Sequence, residues 1–372
     1  MKKKIKLIFF HPYSYLGGAD NSLLRLIQKL NLNKFSITFV SLNNSYLKKN
    51  LSKKIIFKRL NVSRSILSML QFRKLILSYN NDQFTKVIIV SNQNFANIIS
   101  YFSSINIPKI KRIFIDRNHL DELKFTNNFY EKFKKIIIKQ LIKITYPQAN
   151  LVIGISTKLS KDLSIFIKKK VKTVYSPSFD KNIILKSKKT LSLSNKYKYI
   201  LNVSRFSKRK DHKTTLMAFK IVLNKYKNIK LILIGYGPER NNIVTMAKKL
   251  KIYNNLIIVN KTYNPYSYMK KSKLLILTSI YEGFPNVLVE SLTIGTPVIS
   301  TNMNAGASEI LLNGKGGDLI NIGDYKKLSK KIIDFLKSSR ELKSKAIFAK
   351  SKLHRFSAVT HSKIYSEIFR KI

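Results

Sequence analysis

The stretch from Leu274 to Ser300 restricts the possible folds more than any other part of the chain. Its first residues, Leu274–Leu277, form an apolar run typical of a buried strand, and the chain then breaks at Glu282-Gly283. Pro285 suits the first turn of a helix, where its missing N–H is not needed, and Gly295 favours the end of that helix. A further apolar run follows. This strand–loop–helix–strand order predicts a parallel α/β sheet with a ligand loop at the carboxyl end of a strand.

Two carboxylates lie around that loop. Glu282 is in the loop itself, and Glu290 follows eight residues later on the predicted helix. Gly283 permits a close approach of the backbone to a ligand, and free amides at the helix start favour an anion. The alternative is structural: Glu282 as an acid favoured by the helix dipole, and Glu290 as a solvated surface acid. The residues alone leave both interpretations open.

The same alternation of apolar runs and helical patterns extends over the whole chain, which at 372 residues has room for two domains. It predicts parallel strands with helices on both faces of each sheet. The runs that we interpret as strands are Ile5–Phe10, Ile37–Val40, Ile55–Leu60, Val87–Val90, Ile113–Ile115, Leu151–Ile155, Tyr199–Val203, Leu231–Ile234, Leu256–Val259, Leu274–Leu277 and Val298–Ser300.

The order Glu282-Gly283-Phe284-Pro285-Asn286 followed by Glu290 resembles the signature of the retaining family-four glycosyltransferases of the GT-B fold. The resemblance implies two Rossmann-like, doubly wound α/β domains with a cleft for the sugar donor between them. It implies that Glu282 and its loop contact the transferred sugar as a catalytic element. Glu290 would bind the nucleotide ribose. The other residues that the resemblance assigns to donor binding in this segment are Gly283, Phe284, Pro285 and Asn286.

A segment with little periodicity and many Ser and Lys residues predicts a linker, and with it the domain limits. We expect an N-terminal acceptor-side domain over residues 1–177, a linker rich in Ser and Lys over 178–198, and a nucleotide-sugar domain over 199–352. The last segment, 353–372, would form a helix that crosses back to the N-terminal domain, as in other GT-B proteins.

A basic segment follows the first strand of the second half, with Arg205 and Lys210 five residues apart. Arg provides a planar fork for phosphate oxygens and Lys a point charge. In so basic a chain this pattern could be coincidence. The spacing, however, resembles the Arg-Leu-x-x-x-Lys element of the same family, with Ser204 where relatives have Gly. The resemblance implies that both cations are catalytic and stabilise the leaving diphosphate.

The N-terminal half contributes two further candidate segments. Gly17-Gly18 opens a helix after the first strand, and similar loops of the family border the donor phosphates, so Gly18 is a donor-binding candidate. Arg117 and His119 follow another strand, where members of the family carry residues that approach the donor sugar. Either could hold this role, His119 as a catalytic residue or Arg117 as a donor-binding one. The alternatives are a tight turn at the glycines and a helix-capping histidine.

The net charge of +53 is extreme, and lysine supplies most of it. The lysines are spread over the whole chain, whereas a nucleic-acid reader usually concentrates charge and uses Arg forks. We therefore expect no nucleic-acid partner and favour compositional drift together with attraction to an anionic membrane surface. The basic amphipathic helix expected at Glu131–Tyr146 could lie on such a surface, although ordinary packing of its apolar side is the alternative.

The composition also limits the compartment and the chemistry. There is no cysteine, and no apolar run approaches the roughly 20 residues of a membrane-spanning helix. The apolar start, Met1–Phe10, is too short for a signal peptide and is better explained as a strand. We expect a cytoplasmic protein, peripheral at the inner face of the cell membrane. No Asp-x-Asp pair occurs, so we expect a metal-independent reaction without a cofactor.

These expectations combine into one function. The chain would move a hexose or N-acetylhexosamine from a nucleotide sugar, UDP-linked by preference, to a glycan or lipid-linked acceptor in bacterial surface polysaccharide synthesis. The alternatives are a sugar-nucleotide 2-epimerase of the same fold and a basic nucleic-acid-binding protein. The nucleotide base, the sugar, the acceptor and the oligomeric state do not follow from the sequence.

Overall fold

The computed structural model describes residues 3–13, 17–42, 46–63, 65–80, 83–124, 129–303 and 305–372. By its internal contacts the chain divides into two units. The first unit comprises Met1–Pro177 together with Ser357–Ile372, and the second comprises Ser178–Phe356. Each unit has one parallel sheet covered by helices on both faces.

The sheet of the first unit contains seven strands in the order β3-β2-β1-β4-β5-β6-β7, all parallel to their neighbours. Phe10 pairs with Val40 of β2 and Ser91 of β4, so β1 lies between these two strands in the interior of the sheet. The strands are β1 (Ile5–Phe10), β2 (Phe35–Ser41), β3 (Ile56–Arg59), β4 (Lys86–Asn92), β5 (Ile110–Asp116), β6 (Leu151–Gly154) and β7 (Lys172–Thr173).

The helices of the first unit lie on the two faces of this sheet. On one face Phe369 packs edge-on against Phe9 and Phe35, and on the other Phe72 and Ile76 pack with Ile99. The helices are α1 (Gly18–Lys29), α2 (Met69–Tyr79), α3 (Asn94–Ser104), α4 (Phe129–Thr145), α5 (Thr157–Ile167) and α14 (Ala358–Lys371). The C-terminal helix α14 packs on α1, so the end of the chain belongs to the first unit.

The sheet of the second unit has six parallel strands in the order β10-β9-β8-β11-β12-β13. They are β8 (Lys198–Val203), β9 (Ile229–Ile234), β10 (Leu256–Val259), β11 (Leu274–Leu277), β12 (Val298–Thr301) and β13 (Asp318–Ile320). The helices are α6 (Lys181–Ser187), α7 (His212–Lys225), α8 (Arg240–Lys249), α9 (Tyr266–Lys271), α10 (Asn286–Ile294), α11 (Ala307–Ile310), α12 (Tyr325–Lys337) and α13 (Arg340–Ser351).

The apolar runs of the sequence all lie in strands of these two sheets, and the predicted parallel α/β architecture is confirmed. The predicted strands differ from the observed ones by a few residues at their ends, and the short edge strands β7 and β13 were not predicted. The segment 178–198 differs from the expected linker, because residues Lys181–Ser187 form helix α6 and pack with α9 and α10 in the second unit. Asp180 caps this helix by accepting a hydrogen bond from the Asn182 amide at 2.9 Å.

Candidate active site

The strand order of the second unit reverses between β8 and β11. Strands β9 and β10 lie on one side of β8, and β11, β12 and β13 lie on the other. At such a switch point the two loops leave the carboxyl edge in opposite directions, which opens a crevice where α/β proteins bind ligands. The loop after β8 carries Arg205 and Lys210, and the loop after β11 carries Glu282. The two candidate motifs therefore meet at the switch point.

Backbone contacts hold these two loops together. The Ile280 amide donates to the Arg209 carbonyl at 2.8 Å. The Thr278 hydroxyl lies 3.0 Å from the Lys210 carbonyl and 2.9 Å from the Asp211 carbonyl. Thr278 is fully buried, so these contacts are shielded from water. The geometry between the basic segment and the Glu282 loop is thus fixed by the fold rather than by the charged side chains alone.

Lys210 and Glu282 form an ion pair between Nζ and Oε1. The Ser279 hydroxyl donates to the same carboxylate oxygen at 3.0 Å. The side chains of Lys210 and Glu282 are 11% and 12% exposed, so the pair is largely desolvated but reachable from the crevice. Ser279 belongs to the motif region, yet the sequence interpretation gave it no role. The polar pair Thr278-Ser279 directly after an apolar strand is the signal that could have identified it.

The electrostatics of this pair favour the ionised form of Glu282. Burial lowers the pKa of Lys210, and the Arg209 cation lowers it further, whereas Glu282 opposes both effects. Burial alone would raise the pKa of Glu282. The cations of Lys210 and Arg209, with hydrogen bonds from Lys210 and Ser279, instead bring it below its usual value. Glu282 is therefore a carboxylate at neutral pH and a weak proton acceptor.

His212 is a buried neighbour of the pair that sequence reasoning missed. It begins α7, and its Nε2 lies 3.1 Å from the Ser204 hydroxyl. Burial lowers the pKa of His212 to about 4, and the Lys210 cation contributes to the shift. The imidazole is neutral at physiological pH and adds no charge next to Lys210. The sequence did offer a signal for His212. Histidine is rare in this chain, with five in 372 residues, and this one follows the basic motif closely.

Arg205 lies on the exposed side of the same loop. Its guanidinium carbon lies 6.0 Å from the centre of the Tyr236 ring, in the glycine turn after β9. That turn packs directly on the loop: the Phe206 amide donates to the Tyr236 carbonyl at 2.8 Å. A Cβ atom on Gly235 would lie 2.0 Å from the Ser204 carbonyl oxygen. Glycine at this position therefore lets the turn hold the Arg205 segment.

The residues after Glu282 are mostly buried within the second unit. Phe284 packs edge-on against Phe356 at 5.1 Å between ring centres, and Asn286 accepts a hydrogen bond from the Ser178 hydroxyl. Pro285 is the cap residue directly before α10, one position ahead of the first-turn position that the sequence predicted, and Gly295 ends that helix with φ of 94°. These contacts fix the loop that presents Gly283 and Glu282 at the crevice.

Glu290 lies in the middle of α10 and is only 7% exposed. It is therefore not the solvated surface acid of the alternative interpretation. The Tyr266 hydroxyl donates to Glu290 Oε1 at 3.4 Å. Tyr266 begins α9 and is also buried, and the sequence interpretation did not include it. Tyr266 and Glu290 thus form a second hydrogen-bonded polar pair in this unit, separate from the Lys210–Glu282 pair.

The first unit has its own switch point between β1 and β4. Helix α1 begins at Gly18 after the loop that follows β1. Asp20 accepts a hydrogen bond from the Gly17 amide at 3.1 Å, and its other oxygen lies 2.6 Å from His11 Nε2. His11 and Asp20 are buried, so their contact holds the glycine turn from its protein-facing side. This pair was absent from the sequence interpretation.

The Arg117 side chain is buried inside the first unit. Its Nε donates to Asn92 at 3.0 Å, and its Nη1 donates to Ser22 at 2.6 Å and contacts Ser176 at 3.5 Å. Arg117 thus joins the end of β4, the first turns of α1 and the segment after β7. The cost of burial lowers the pKa of Arg117, and Tyr365 and Asp20 oppose this shift. Arg117 remains a cation, given the very high pKa of an ordinary guanidinium.

His119 is the capping histidine of the alternative interpretation. Its Nδ1 accepts from the Asp121 amide at 3.2 Å, at the start of the short 3₁₀ turn Leu120–Leu123. Its Nε2 lies 2.8 Å from Asp162. With both ring nitrogens occupied and the side chain 5% exposed, His119 could approach a sugar only after these contacts break.

In the ranges that the structure describes, no group of three or more His, Asp or Glu side chains is arranged to hold a metal ion. No helix within these ranges has the length and apolarity needed to cross a bilayer.

The sequence of the second unit matches a known family. Residues 184–352 match the family model described as glycosyl transferases group 1. An uncharacterized glycosyltransferase of Methanocaldococcus jannaschii is 29% identical over 62% of this chain and 59% of its own length. N-acetylgalactosamine-N,N'-diacetylbacillosaminyl-diphospho-undecaprenol 4-alpha-N-acetylgalactosaminyltransferase of Campylobacter jejuni is 28% identical over 61% of this chain and 62% of its own length. The chain thus spans about three fifths of these curated relatives.

Solved structures resemble the chain over nearly its full length. Sucrose-phosphate synthase from Thermosynechococcus elongatus has a TM-score of 0.83 and 14% identity, with 99% of each chain covered. HepE from Anabaena, in complex with UDP-glucose, has a TM-score of 0.79 and 19% identity, covering 99% of this chain and 100% of its own. At such identities the similarity establishes the fold. Residues 184–352 therefore belong to the glycosyl transferases group 1 family, as the motifs predicted, and the chain has the GT-B fold.

Proposed function

We propose that this protein is a retaining glycosyltransferase. It moves a hexose or N-acetylhexosamine from a nucleotide sugar, UDP-linked by preference, to a glycan or lipid-linked acceptor in bacterial surface polysaccharide synthesis. The observation that carries the proposal is the desolvated Lys210–Glu282 pair at the switch point of the family-matched unit. A crevice with fixed cations and one oriented carboxylate suits a diphosphate and the sugar attached to it.

The relatives support the donor and acceptor classes. The Anabaena HepE structure contains UDP-glucose, which favours a UDP-linked donor here. The C. jejuni relative is named for a diphospho-undecaprenol acceptor, and a Staphylococcus aureus relative is named for capsular polysaccharide biosynthesis. These names favour a lipid-linked or polymeric acceptor of the bacterial surface. A carrier of this kind would bring the protein to the inner face of the cell membrane as a peripheral, cytoplasmic enzyme.

The proposed mechanism relies on electrostatics. As the bond between the anomeric carbon and the diphosphate breaks, negative charge grows on the leaving phosphate. Lys210 and Arg205 lie in one loop at the crevice and would stabilise this charge without proton transfer. Lys210 is held in place by Glu282 before the donor binds. A preorganised cation in a desolvated site needs little rearrangement during the reaction, which is the main source of such stabilisation.

Glu282 has an orienting role in this mechanism. Its lowered pKa makes it unsuited to general acid or base catalysis near neutral pH, where an effective group needs a pKa close to the ambient pH. This argues against a 2-epimerase, which needs acid and base groups for elimination. The acceptor hydroxyl would instead give its proton to the leaving phosphate on the same face of the sugar, which retains the anomeric configuration. Glu282 would hold the sugar hydroxyls in position.

The remaining candidates receive supporting roles. Glu290, together with Tyr266, would bind the ribose hydroxyls, and the Gly283 amide region would lie close to the sugar. Gly18 would allow the α1 start to approach the donor phosphates, with Arg117 as a positioning residue behind it. His119 would act through the segment that it caps.

The test is a screen of nucleotide sugars. The purified protein is incubated with UDP-, GDP- and ADP-linked hexoses and N-acetylhexosamines, and release of nucleoside diphosphate is measured with and without lipid-linked acceptors. We expect release from one donor class, stimulated by acceptor, with product whose anomeric configuration by NMR equals that of the donor. Inversion of that configuration would refute retention. Conversion of the sugar without release of nucleotide would identify an epimerase, and no reaction with any donor would contradict the proposal.

A further inference from the structure

Lys210 has two anionic partners in the proposed mechanism. In the structure its ammonium is paired with the Glu282 carboxylate, and during the reaction it would face the leaving diphosphate. A single positive charge cannot fully compensate both anions. The side chains of Lys210 and Glu282 are only 11% and 12% exposed, so water compensates little of the difference. Donor binding would therefore leave Glu282 as a desolvated carboxylate that needs a second cation.

Arg209 lies where such a cation is needed. It directly precedes Lys210 in the 3₁₀ turn Lys208–Lys210. Burial lowers the pKa of Lys210 and raises that of Glu282, and the nearby Arg209 cation lowers both. The groups that face Glu282 are Lys210 and Arg209 of this turn and Ser279 of the loop after β11. Of these three, Arg209 carries a charge to which the proposed mechanism gives no role.

Two contacts fix Arg209 against the loop that carries Glu282. The Arg209 carbonyl accepts a hydrogen bond from the Ile280 amide at 2.8 Å. The Arg209 guanidinium carbon lies 5.7 Å from the centre of the Tyr281 ring, within the range of a cation–π contact. Tyr281 is buried and directly precedes Glu282. The backbone and the side chain of Arg209 thus contact the two residues before Glu282, which keeps its positive charge beside this carboxylate.

The chemistry of arginine fits this role. A guanidinium keeps its charge in a partly buried site, stacks on aromatic faces and presents its donors in a fixed plane. A carboxylate is one of the acceptors that this planar arrangement matches best. Arg209 is half-buried, so salt screens its attraction to Glu282 less than it screens pairs of exposed charges. The arrangement therefore provides a compensating charge that is in place before the donor binds.

We propose that Arg209 is a positioning residue that compensates the Glu282 carboxylate when Lys210 directs its charge to the diphosphate. Glu282 then stays ionised and continues to orient the sugar, instead of taking up a proton. The inference deepens the proposed function and rests on it for the part played by the diphosphate. The compensation of Glu282 can be measured without any donor and without turnover, so the two proposals can fail separately.

The first experiment removes the Lys210 charge by substitution, which imitates its engagement by a phosphate. The protein is labelled with ¹³C at its glutamate carboxyl groups, of which there are eight, and the Glu282 signal is assigned with Glu282→Gln. Its pH titration is followed in Lys210→Gln and in Lys210→Gln combined with Arg209→Gln. We expect Glu282 to stay ionised at neutral pH in the single variant. In the double variant its midpoint should rise by about one pH unit or more, because a buried carboxyl group without a cation favours the neutral form.

The matched control is Lys208→Gln in the same Lys210→Gln background. Lys208 belongs to the same turn but is exposed, so its loss should leave the midpoint of Glu282 unchanged. Arg209→Lys retains a cation and should keep Glu282 ionised, and thermal unfolding verifies the fold of each variant. The proposal is overturned if Arg209→Gln and Lys208→Gln shift the midpoint equally. It is also overturned if Arg209→Lys shifts it as far as Arg209→Gln, because the charge would then not be the cause.

Proton uptake on ligand binding tests the same compensation with a diphosphate present. Binding of UDP is measured by calorimetry slightly above neutral pH in buffers of different ionisation enthalpy, which gives the number of protons taken up. We expect Arg209→Gln to take up as much as one additional proton per bound UDP, whereas Lys208→Gln behaves like the parent. Equal proton uptake by the three proteins would overturn the proposal. Absence of UDP binding by the parent would contradict the UDP-linked donor of the proposed function, and the titration of Glu282 without ligand would still decide the role of Arg209.

Discussion

At the scale of single residues, Glu290 offers the clearest test of the nucleotide end of the site. Its carboxylate is buried on α10 and contacts the Tyr266 hydroxyl at 3.4 Å. A hydrogen bond to a charged group typically contributes about 1.5–3 kcal/mol. We therefore expect Glu290→Gln to weaken binding of the nucleoside diphosphate by roughly ten- to a hundredfold, measured by calorimetry. Tyr266→Phe should have a smaller effect, and unchanged affinity of Glu290→Gln would contradict the ribose assignment.

His212 predicts a pH dependence of stability. Its pKa in the folded chain, about 4, lies below the ordinary 6.5, so the unfolded chain binds a proton first as the pH falls. The neutral imidazole thus contributes stability that is complete above pH 6.5 and is lost as the pH falls towards 4. The shift corresponds to about 3 kcal/mol in the free energy of unfolding.

Urea unfolding of the parent and of His212→Gln across this range measures the effect. We expect the stability of the parent to fall more steeply with decreasing pH than that of the variant. The pKa of the buried His361 is also lowered, but this residue is present in both proteins and cancels in the comparison. Parallel curves for the two proteins would show that His212 is not buried as a neutral group.

At the scale of elements, the segment at Gly306 supports the Glu282 loop. Gly306 has φ of 81°, and a Cβ atom there would lie 2.8 Å from Pro285 Cδ and 3.0 Å from Phe284 Cα. Gly306→Ala should therefore lower the free energy of unfolding by about 2–4 kcal/mol, from backbone strain together with displacement of the loop. Gly323→Ala is the matched control, since its φ is 78° and nothing lies within 4 Å of the added carbon.

The control isolates the strain of a positive φ, which is about 1 kcal/mol. We expect Gly306→Ala to be the less stable variant in thermal unfolding and also to lose donor affinity, while Gly323→Ala keeps it. Equal stability of the two variants would show that the contact of this segment with Phe284 and Pro285 is not tight.

Elements differ in how far the sequence predicted them. Long buried parallel strands have continuous apolar runs, so their existence followed from hydropathy alone. The short edge strands β7 and β13 were missed, because two or three residues give no recognisable apolar run. Helix α6 was missed because its short pattern around Ile183 lies among Ser and Lys residues. For α4 the pattern predicted an amphipathic helix with one apolar side, and periodicity alone cannot decide which of its apolar residues face the sheet. That choice depends on tertiary contacts such as those of Ile138 and Ile142 with the first unit.

Side-chain partners were the least predictable feature of the site. The motifs gave Glu282 and Lys210 separately, but their ion pair depends on β8 and β11 being neighbours in the sheet. Arg117 and His119 were equivalent candidates in the sequence, because both follow the same strand. Their burial and hydrogen bonds show that His119 caps a short turn, whereas Arg117 joins three segments. The ion-pair partners of surface lysines are equally hard to predict from the sequence. Lys345 lies 2.7 Å from both Asp318 and Glu341, in a bridged arrangement with no sequence motif.

At the scale of the whole molecule, the reaction is expected to need no metal. Arg205 and Lys210 supply the positive charge that a divalent ion provides at the diphosphate in other enzymes. We predict that turnover of the purified protein, measured as release of nucleoside diphosphate, survives an excess of EDTA. Loss of turnover with EDTA and its recovery with magnesium or manganese would contradict this prediction.

The central claim is that the cations of the second unit act on a leaving diphosphate, and one comparison tests it most directly. Turnover and nucleoside diphosphate affinity are measured for Arg205→Ala and Lys210→Ala, with the exposed Lys188→Ala and Lys330→Ala as controls and thermal unfolding to verify the fold. Loss of an electrostatic stabiliser of the transition state typically reduces turnover on the order of a hundredfold or more. We predict that the first two variants lose more turnover than affinity, while the controls lose neither. Small, interchangeable losses at all four positions would contradict the account.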